Sequence, residues 1–125
     1  MKYEILVAEA KKITGKFKLS KEWLSAGSCG AALLASNEKI YTGICIHLAC
    51  GLGFCAEHST IAQMLKDRET RIIAIAATSE HGIVPPCGRC REMMIQIDRG
   101  NSDTQVILAE DRTEKLHKLL PEHWL

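Results

Sequence analysis

Three cysteines and one glutamate, in two short segments, are the residue types needed for metal-assisted chemistry. Cys55 and Glu57 stand two residues apart, and the run Pro86-Cys87-Gly88-Arg89-Cys90 follows further along the chain. Cys87 and Cys90 are three residues apart, so their sulfurs would share one face of a first helical turn. A helix N-terminus lowers the pKa of a thiol and favours anions. Three thiolates with a free fourth position are typical of a catalytic zinc site, since structural sites usually have four protein ligands.

Glu57 completes this pattern because it follows a ligand and need not bind the metal itself. A carboxylate there can take a proton from water and deliver it to a substrate ring nitrogen and then to a leaving amine. A lone Cys-x-x-Cys pair would be a weak signal, since it equally suits a redox pair or a structural zinc knuckle. The combination of Cys-x-Glu with a distant Pro-Cys-x-x-Cys is specific, and it is typical of zinc deaminases.

Both segments are predicted to lie where a loop gives way to a helix. The apolar patterns predict helices over 3–14, 55–67, 87–97 and 112–120, a β-hairpin over 28–35 and 39–46, and buried strands over 71–78 and 105–109. This alternation predicts an α/β layered domain whose helices cover a mostly buried sheet. No repeat or long linker divides the sequence, so residues 1–125 are predicted to form one domain.

The composition excludes several classes of protein. With 46% hydrophobic and 25% charged residues in 125, the chain has the make-up of a globular domain. A net charge of +1 without a basic run argues against a polynucleotide or membrane partner. No apolar stretch would span a bilayer and the N-terminus does not resemble a secretory signal, so we expect a cytoplasmic protein. Six cysteines there indicate metal binding, catalysis or burial, and burial is expected for Cys29, Cys45 and Cys50.

Most of the chain resembles the cytidine deaminases, and more closely the blasticidin-S deaminase branch of that family. The matching stretches are 29–34, 40–43, 55–57, 82–83, 86–91 and 119–121, with Trp124 following. The resemblance implies a three-layer α/β/α sandwich with a mixed central sheet and one Zn²⁺ per subunit. It implies hydrolysis of a 4-amino pyrimidine to its 4-oxo form with release of ammonia. It also implies a homotetramer in which neighbouring subunits complete each active site.

The resemblance also assigns roles to individual residues. The expected zinc ligands are Cys55, Cys87 and Cys90, and the expected proton carrier is Glu57. Backbone groups of Ala56 and Pro86 are expected close to the pyrimidine and its amino group. Trp124 is expected to close over the base in a neighbouring subunit's site, or otherwise to pack against its own helix.

The departures from the family concern the substrate. Cytidine deaminases have an Asn and a Glu for the base or sugar where this chain has Cys45 and His47. A thiol and a neutral imidazole are poor replacements for an amide and a carboxylate, so discrimination for ribose is expected to weaken. His47 is a candidate for substrate contact, the alternative being a structural hydrogen bond at its strand end. The sequence leaves cytidine, deoxycytidine and blasticidin S open as substrates.

Positive charge is expected near the thiolates, because three thiolates and Zn²⁺ together carry a net negative charge. The Arg that commonly follows the motif Glu is replaced by His58. Arg89 and Arg91 flank Cys90 and are the expected sources of that charge, the alternative being a solvated face for both.

Two other functions stay open on the sequence. Editing of a polynucleotide base would use the same chemistry, but it needs a basic groove and stacking aromatic residues. The net charge of +1 and an aromatic content of 5% argue against it. A non-catalytic zinc module would have no use for the carboxylate of Glu57. We therefore predict a zinc-dependent hydrolase that deaminates a cytosine nucleoside or a cytosine-containing analogue.

Overall fold

A seven-stranded mixed β-sheet forms the middle of the molecule. The structure is a computed structural model that describes residues 2–125. The elements in chain order are α1 (Glu4–Ile13), β1 (Phe17–Lys18), β2 (Ser25–Ala35), β3 (Ile40–His47), α2 (Ala56–Lys66), β4 (Ile72–Ser79), β5 (Gly82–Val84), α3 (Gly88–Ile97), a 3₁₀ helix (Arg99–Asp103), β6 (Gln105–Ala109), β7 (Arg112–Lys115) and α4 (Leu116–Leu119). Over residues 2–125, none of these helices has both the length and the apolar character that crossing a membrane requires.

The strand order places β2 and β4 at the centre of the sheet. The hydrogen-bonded order is β1-β2-β4-β6-β7. β3 pairs along the other edge of β2, and β5 pairs with the last residues of β4. β4 and β6 run parallel, and the other pairs in the described chain are antiparallel. The predicted hairpin is β2 with β3, in which Leu33 pairs with Tyr41 and Gly30 with Ile44.

Helices cover both faces of this sheet, as the alternating directions of the strand side chains require. Leu33 and Ile75 face a core cluster with Ile61 of α2 and Met94 of α3. The intervening alanines of the same strands face a second cluster with Leu6, Val7 and Ala10 of α1. The expected three-layer α/β/α sandwich with a mixed sheet is therefore confirmed.

The last part of the chain differs from the prediction. The sequence pattern predicts a single helix over 112–120, but Arg112–Lys115 is the edge strand β7 and only Leu116–Leu119 is helical. The four residues of β7 pair with β6, and this pairing outweighs their weak local preference for a helix. The sequence also predicts that Cys29, Cys45 and Cys50 are buried. This prediction holds for Cys45, whereas Cys29 is half-buried and Cys50 is exposed.

Gly43 sets how closely α2 approaches the sheet. A Cβ built on Gly43 would collide with Ser59 Oγ and would lie 2.6 Å from the Thr60 backbone nitrogen. Ser59 Oγ donates a hydrogen bond of 2.9 Å to the Ile44 carbonyl, which ties the helix to β3 at this point. The absence of a side chain at Gly43 therefore positions the first turn of α2, which carries Glu57.

Candidate active site

Two helices begin at the same place, and a cysteine stands at the start of each. Cys55 is the N-cap of α2 and Cys87 is the N-cap of α3, both with extended backbone. Neither side chain forms a capping hydrogen bond, so both sulfurs are left for other partners. Cys90 lies in the first turn of α3 and is fully buried. Both helix dipoles consequently favour negative charge at this position.

The three sulfurs are in contact without being bonded to each other. Cys55 Sγ lies 3.4 Å from Cys87 Sγ, which lies 3.5 Å from Cys90 Sγ. All three cysteines are free. Sulfurs bound to one zinc ion with bonds of about 2.3 Å would lie about 3.8 Å apart in a tetrahedral site. The three sulfurs therefore fit a zinc ion after a small outward movement.

His58 forms a further group with two of these cysteines. One of its ring nitrogens and the sulfurs of Cys55 and Cys90 all lie within 4.8 Å of one another. The sequence singled out His58 only as a replacement for an arginine. Its position one helical turn after Cys55 is the signal that would have placed it beside the thiols.

The environment of Cys55 and Cys90 opposes ionisation of their thiols in the absence of a cation. Burial raises the pKa of Cys90 strongly, and the nearby Glu57 carboxylate raises it further. Burial also raises the pKa of Cys55. Burial opposes ionisation of Cys87 too, but the backbone N–H of Cys90 and the neighbouring thiols lower its pKa overall. A bound cation would stabilise thiolates that lie this close together, so the three cysteines have the chemistry of a zinc site.

Glu57 lies beside the sulfurs in the first turn of α2 and is only 5% exposed. Burial raises the pKa of its carboxyl, although the backbone and the Cys90 thiol partly oppose this shift. The described residues form no ion pair with this carboxylate. A buried carboxyl with a raised pKa and no ion-pair partner is suited to carrying a proton.

A closed loop delivers Cys55 to the site. Ile46 and Phe54 exchange two backbone hydrogen bonds of 3.0 Å, which join the two ends of the segment between β3 and α2. Gly53 allows this closure, because a Cβ there would lie 2.5 Å from the Ile46 carbonyl oxygen. The absence of a side chain at Gly53 therefore lets this loop close and deliver Cys55 to the site.

A pocket of about 600 Å³ opens beside Glu57 and the thiols. Its lining comes from the ends of β2 and β3, the loop before α2 and the segment before α3. The residues that line it are Ser28, Cys29, Cys45, Ile46, His47, Leu48, Gly51, Gly53, Phe54, Cys55, Ala56, Glu57, Val84, Pro85, Cys87 and Arg89. Sequence reasoning did not single out Ser28, Phe54 or Val84, because none of them belongs to a motif and the fold alone brings them together.

The residues predicted to contact substrate are placed in different ways. His47 is exposed at the pocket, whereas Cys45 is only 3% exposed, and its sulfur contacts Ser28 Oγ and the Cys29 backbone nitrogen, each at 3.2 Å. Ala56 also lines the pocket, as the first residue of α2. The sulfur of Cys45 is thus already engaged within the chain.

Two other predicted contacts lie outside the pocket lining. Pro86 is buried, and its carbonyl oxygen accepts a hydrogen bond of 2.8 Å from Arg91 Nε. Trp124 is 83% exposed and does not line the pocket of its own chain. Its backbone nitrogen donates to Glu92 Oε1 at 3.1 Å, which holds the C-terminal segment against α3.

The two arginines of the second segment have different environments. Arg89 is exposed and lines the pocket. Burial lowers the pKa of His58, and the positive charge of Arg89 lowers it further. Arg91 is half-buried and donates to the carbonyl oxygens of Pro86 and Leu119. The charge of Arg89 therefore acts at the site, whereas Arg91 braces the backbone next to it.

The chain is similar to known deaminases. The family model of the cytidine and deoxycytidylate deaminase zinc-binding region matches residues 4–106. The cytidine deaminase of Sporosarcina psychrophila is 32% identical over 126 residues, covering 97% of this chain and 90% of that protein. The cytidine deaminase of Mycobacterium tuberculosis H37Rv is 32% identical over 95 residues, covering 74% of this chain and 69% of that protein.

Solved structures show the same fold over the whole chain. The crystal structure of cytidine deaminase from Mycobacterium tuberculosis superposes with a TM-score of 0.82 at 25% identity, covering 99% of this chain and 98% of that one. Cytidine deaminase from Burkholderia pseudomallei gives a TM-score of 0.78 at 29% identity, covering 99% and 100%. With the matched zinc-binding region, these relatives show that the chain belongs to the cytidine and deoxycytidylate deaminase family.

Proposed function

We propose that this chain is a zinc-dependent hydrolase that replaces the 4-amino group of a cytosine nucleoside, or of a cytosine-containing analogue, with an oxygen and releases ammonia. The observation that carries the proposal is the buried carboxylate of Glu57, which forms no ion pair, beside the neighbouring thiols of Cys55, Cys87 and Cys90 at one pocket. A structural zinc site would have no need of that carboxylate. Family membership and the cytidine deaminases among its relatives support the same substrate class.

The chain's own residues divide the work of this reaction. Cys55, Cys87 and Cys90 would hold the Zn²⁺, which would supply the Lewis acidity that makes water an effective nucleophile at neutral pH. The Glu57 carboxylate takes a proton from the attacking water and delivers it to the ring nitrogen of the pyrimidine. It then takes the remaining proton of that oxygen and delivers it to the leaving amine. Atoms balance as aminopyrimidine plus water gives oxopyrimidine plus ammonia.

Backbone groups orient the base for this transfer. The Ala56 N–H belongs to the first turn of α2, where amides have no partner within the helix, and it is free to donate to the pyrimidine. The Pro86 carbonyl accepts from Arg91 through one lone pair and keeps a second for the amino group. Both groups stand next to a cysteine ligand, so the base would be held directly beside the metal.

The sugar end of the pocket supports a substrate that is not selected by its ribose hydroxyls. The sulfur of Cys45 contacts Ser28 and Cys29, and His47 is exposed at the strand end, where Arg89 lines the same pocket. A hydroxyl that meets no dedicated partner adds little discrimination. We therefore propose that the chain accepts deoxycytidine nearly as well as cytidine and that blasticidin S also fits.

The assembly is part of the proposal. Trp124 extends from the C-terminal segment without covering its own pocket, which suits a role in closing the site of a neighbouring copy. We propose a homotetramer of one-domain subunits that works in the cytoplasm, where its six unpaired cysteines would stay reduced. Light scattering gives the mass in solution, and a monomer would contradict this part of the proposal.

Ammonia release from cytidine, deoxycytidine, cytosine, adenosine and blasticidin S, with zinc content measured beforehand, tests the proposed function. Glu57→Gln should keep its zinc and lose on the order of 10²–10⁴-fold in turnover, because it removes the proton carrier alone. Glu80→Gln is the matched control, since Glu80 is exposed in the turn between β4 and β5. A zinc-loaded parent that leaves all five compounds unchanged would overturn the proposed substrate class.

A further inference from the structure

His58 has a buried ring nitrogen without a partner. Its Nε2 is inaccessible to solvent and has no hydrogen bond, and it is the one such side-chain atom over residues 2–125. A buried polar atom without a partner is costly, so the protein keeps it only where something compensates for it. The imidazole ring is stacked nearly parallel to the Phe54 ring, with centroids 6.4 Å apart and planes at 16°.

The neighbours of this imidazole are two of the proposed zinc ligands. One ring nitrogen lies within 4.8 Å of the sulfurs of both Cys55 and Cys90. His58 follows Cys55 by three residues on α2, and its backbone N–H already donates to the Cys55 carbonyl at 3.0 Å. The first turn of α2 therefore fixes the position of the His58 imidazole relative to Cys55.

The net negative charge of the zinc-bound site indicates a role for the His58 imidazole. Three thiolates outweigh Zn²⁺ by one negative charge, and the buried Glu57 adds to it. No lysine or arginine of residues 2–125 forms an ion pair with Glu57, and Arg89 is exposed. A hydrogen-bond donor aimed at a thiolate spreads this charge and orients the ligand.

We propose that His58 is a positioning residue of the metal site, whose ring N–H donates a hydrogen bond to a ligating thiolate of Cys55 or Cys90. The inference rests on the proposed function in taking these cysteines as zinc ligands. His58 is not itself a ligand, because a fourth protein ligand would close the position that hydrolysis needs. Its effect is to hold zinc more tightly and to keep the thiolates in place.

Zinc retention by the full chain tests the proposal independently of turnover. The zinc-loaded parent, His58→Leu and His58→Gln are each titrated with a chromophoric chelator to obtain the zinc affinity. His58→Leu should lose on the order of 10–100-fold in affinity, as is usual when a partner of a metal ligand is removed. His58→Gln keeps an N–H donor and should recover most of the loss. His81→Leu, which replaces an exposed histidine of a distant turn, should bind zinc like the parent.

Three results would overturn the proposal. One is a His58→Leu protein that is folded by circular dichroism and holds zinc as tightly as the parent. Another is a nitrogen ligand in the zinc X-ray absorption spectrum of the parent that is lost in His58→Gln, since His58 would then bind the metal directly. The third concerns the parent alone: ¹⁵N-histidine NMR should show a slowly exchanging ring N–H of His58 after zinc loading, and its absence contradicts the hydrogen bond.

The proposed function and this inference fail in different ways. If the parent binds zinc but releases no ammonia from any cytosine compound, the function fails while the affinity series still reports on His58. If the parent deaminates and His58→Leu keeps full zinc affinity, the inference fails and the function stands.

Discussion

Arg91 and Pro86 are joined by a hydrogen bond of 2.8 Å, in which Arg91 Nε donates to the carbonyl oxygen immediately before Cys87. The same guanidinium donates from Nη1 to the Leu119 carbonyl at 3.1 Å. One side chain in the first turn of α3 thus connects the backbone of the thiol site to the C-terminal helix α4. Arg91 therefore stabilises both the position of Cys87 and the packing of the chain terminus.

Replacing the two arginines of this segment should have unequal effects on stability. Arg91→Leu should lower the free energy of unfolding by about 2 kcal/mol, because two carbonyl oxygens lose a charged donor. Arg89→Leu should change it by less than about 0.5 kcal/mol, because Arg89 is exposed. Urea unfolding of both variants in the same buffer measures the difference. Equal losses would show that the hydrogen bonds of Arg91 add nothing to the fold.

Metal removal should destabilise only chains that can bind the metal. Cys87→Ser should contain little zinc after purification, whereas Cys50→Ser should contain as much as the parent, since Cys50 is exposed and outside the thiol cluster. A strong chelator should lower the midpoint of thermal unfolding of the parent and of Cys50→Ser, because bound metal stabilises the folded state. It should leave Cys87→Ser unchanged. Full zinc in Cys87→Ser would mean that the ligands are wrongly assigned.

Local patterns predicted most of the fold. The continuous apolar run over 71–78 became β4, which is covered on both faces and so needs no polar alternation. The polar segment Arg112–Lys115 carried no such signal, and its strand exists only because β6 presents a free edge to it. Strands β1 and β5 were also missed, since two or three residues are too few to show a period.

The part of the candidate site that its two motifs carry could be predicted from the sequence. The combination of the two motifs predicted that Cys55, Cys87 and Cys90 would lie together with Glu57, because each motif opens a helix. The wall of the pocket was not predictable, since Ser28 and Val84 arrive from strands that the motifs do not touch. The bond from Arg91 to the Leu119 carbonyl joins residues 28 positions apart, and no local pattern records it.

Asn101 should be essential to the corner where β4, α3 and the 3₁₀ helix meet. It is fully buried, its Oδ1 accepts from the Ile72 nitrogen at 2.8 Å, and its Nδ2 donates to the Met94 carbonyl at 2.9 Å. Asn101→Ala leaves both backbone groups unsatisfied, so we expect a loss of about 3 kcal/mol in unfolding free energy. Asn37→Ala, in an exposed turn, should cost less than about 1 kcal/mol. Urea unfolding measures the free energy of both variants, and equal losses in Asn101→Ala and Asn37→Ala would contradict this role for Asn101.

The close approach of α2 to β3 should make Gly43 intolerant of even one methyl group. Gly43→Ala places a Cβ against Ser59 Oγ and the Thr60 backbone, which cannot retreat without moving the whole helix. Overpacking of this kind costs about 1–3 kcal/mol, and the displaced helix would carry Glu57 and Cys55 away from the other thiols. Gly15→Ala is the matched control, since its Cβ meets nothing within 4 Å. Unfolding midpoints and zinc affinity should both fall in Gly43→Ala and stay at the parental level in Gly15→Ala. If Gly43→Ala matched the parent in both, the contact between α2 and β3 would not be what positions the site.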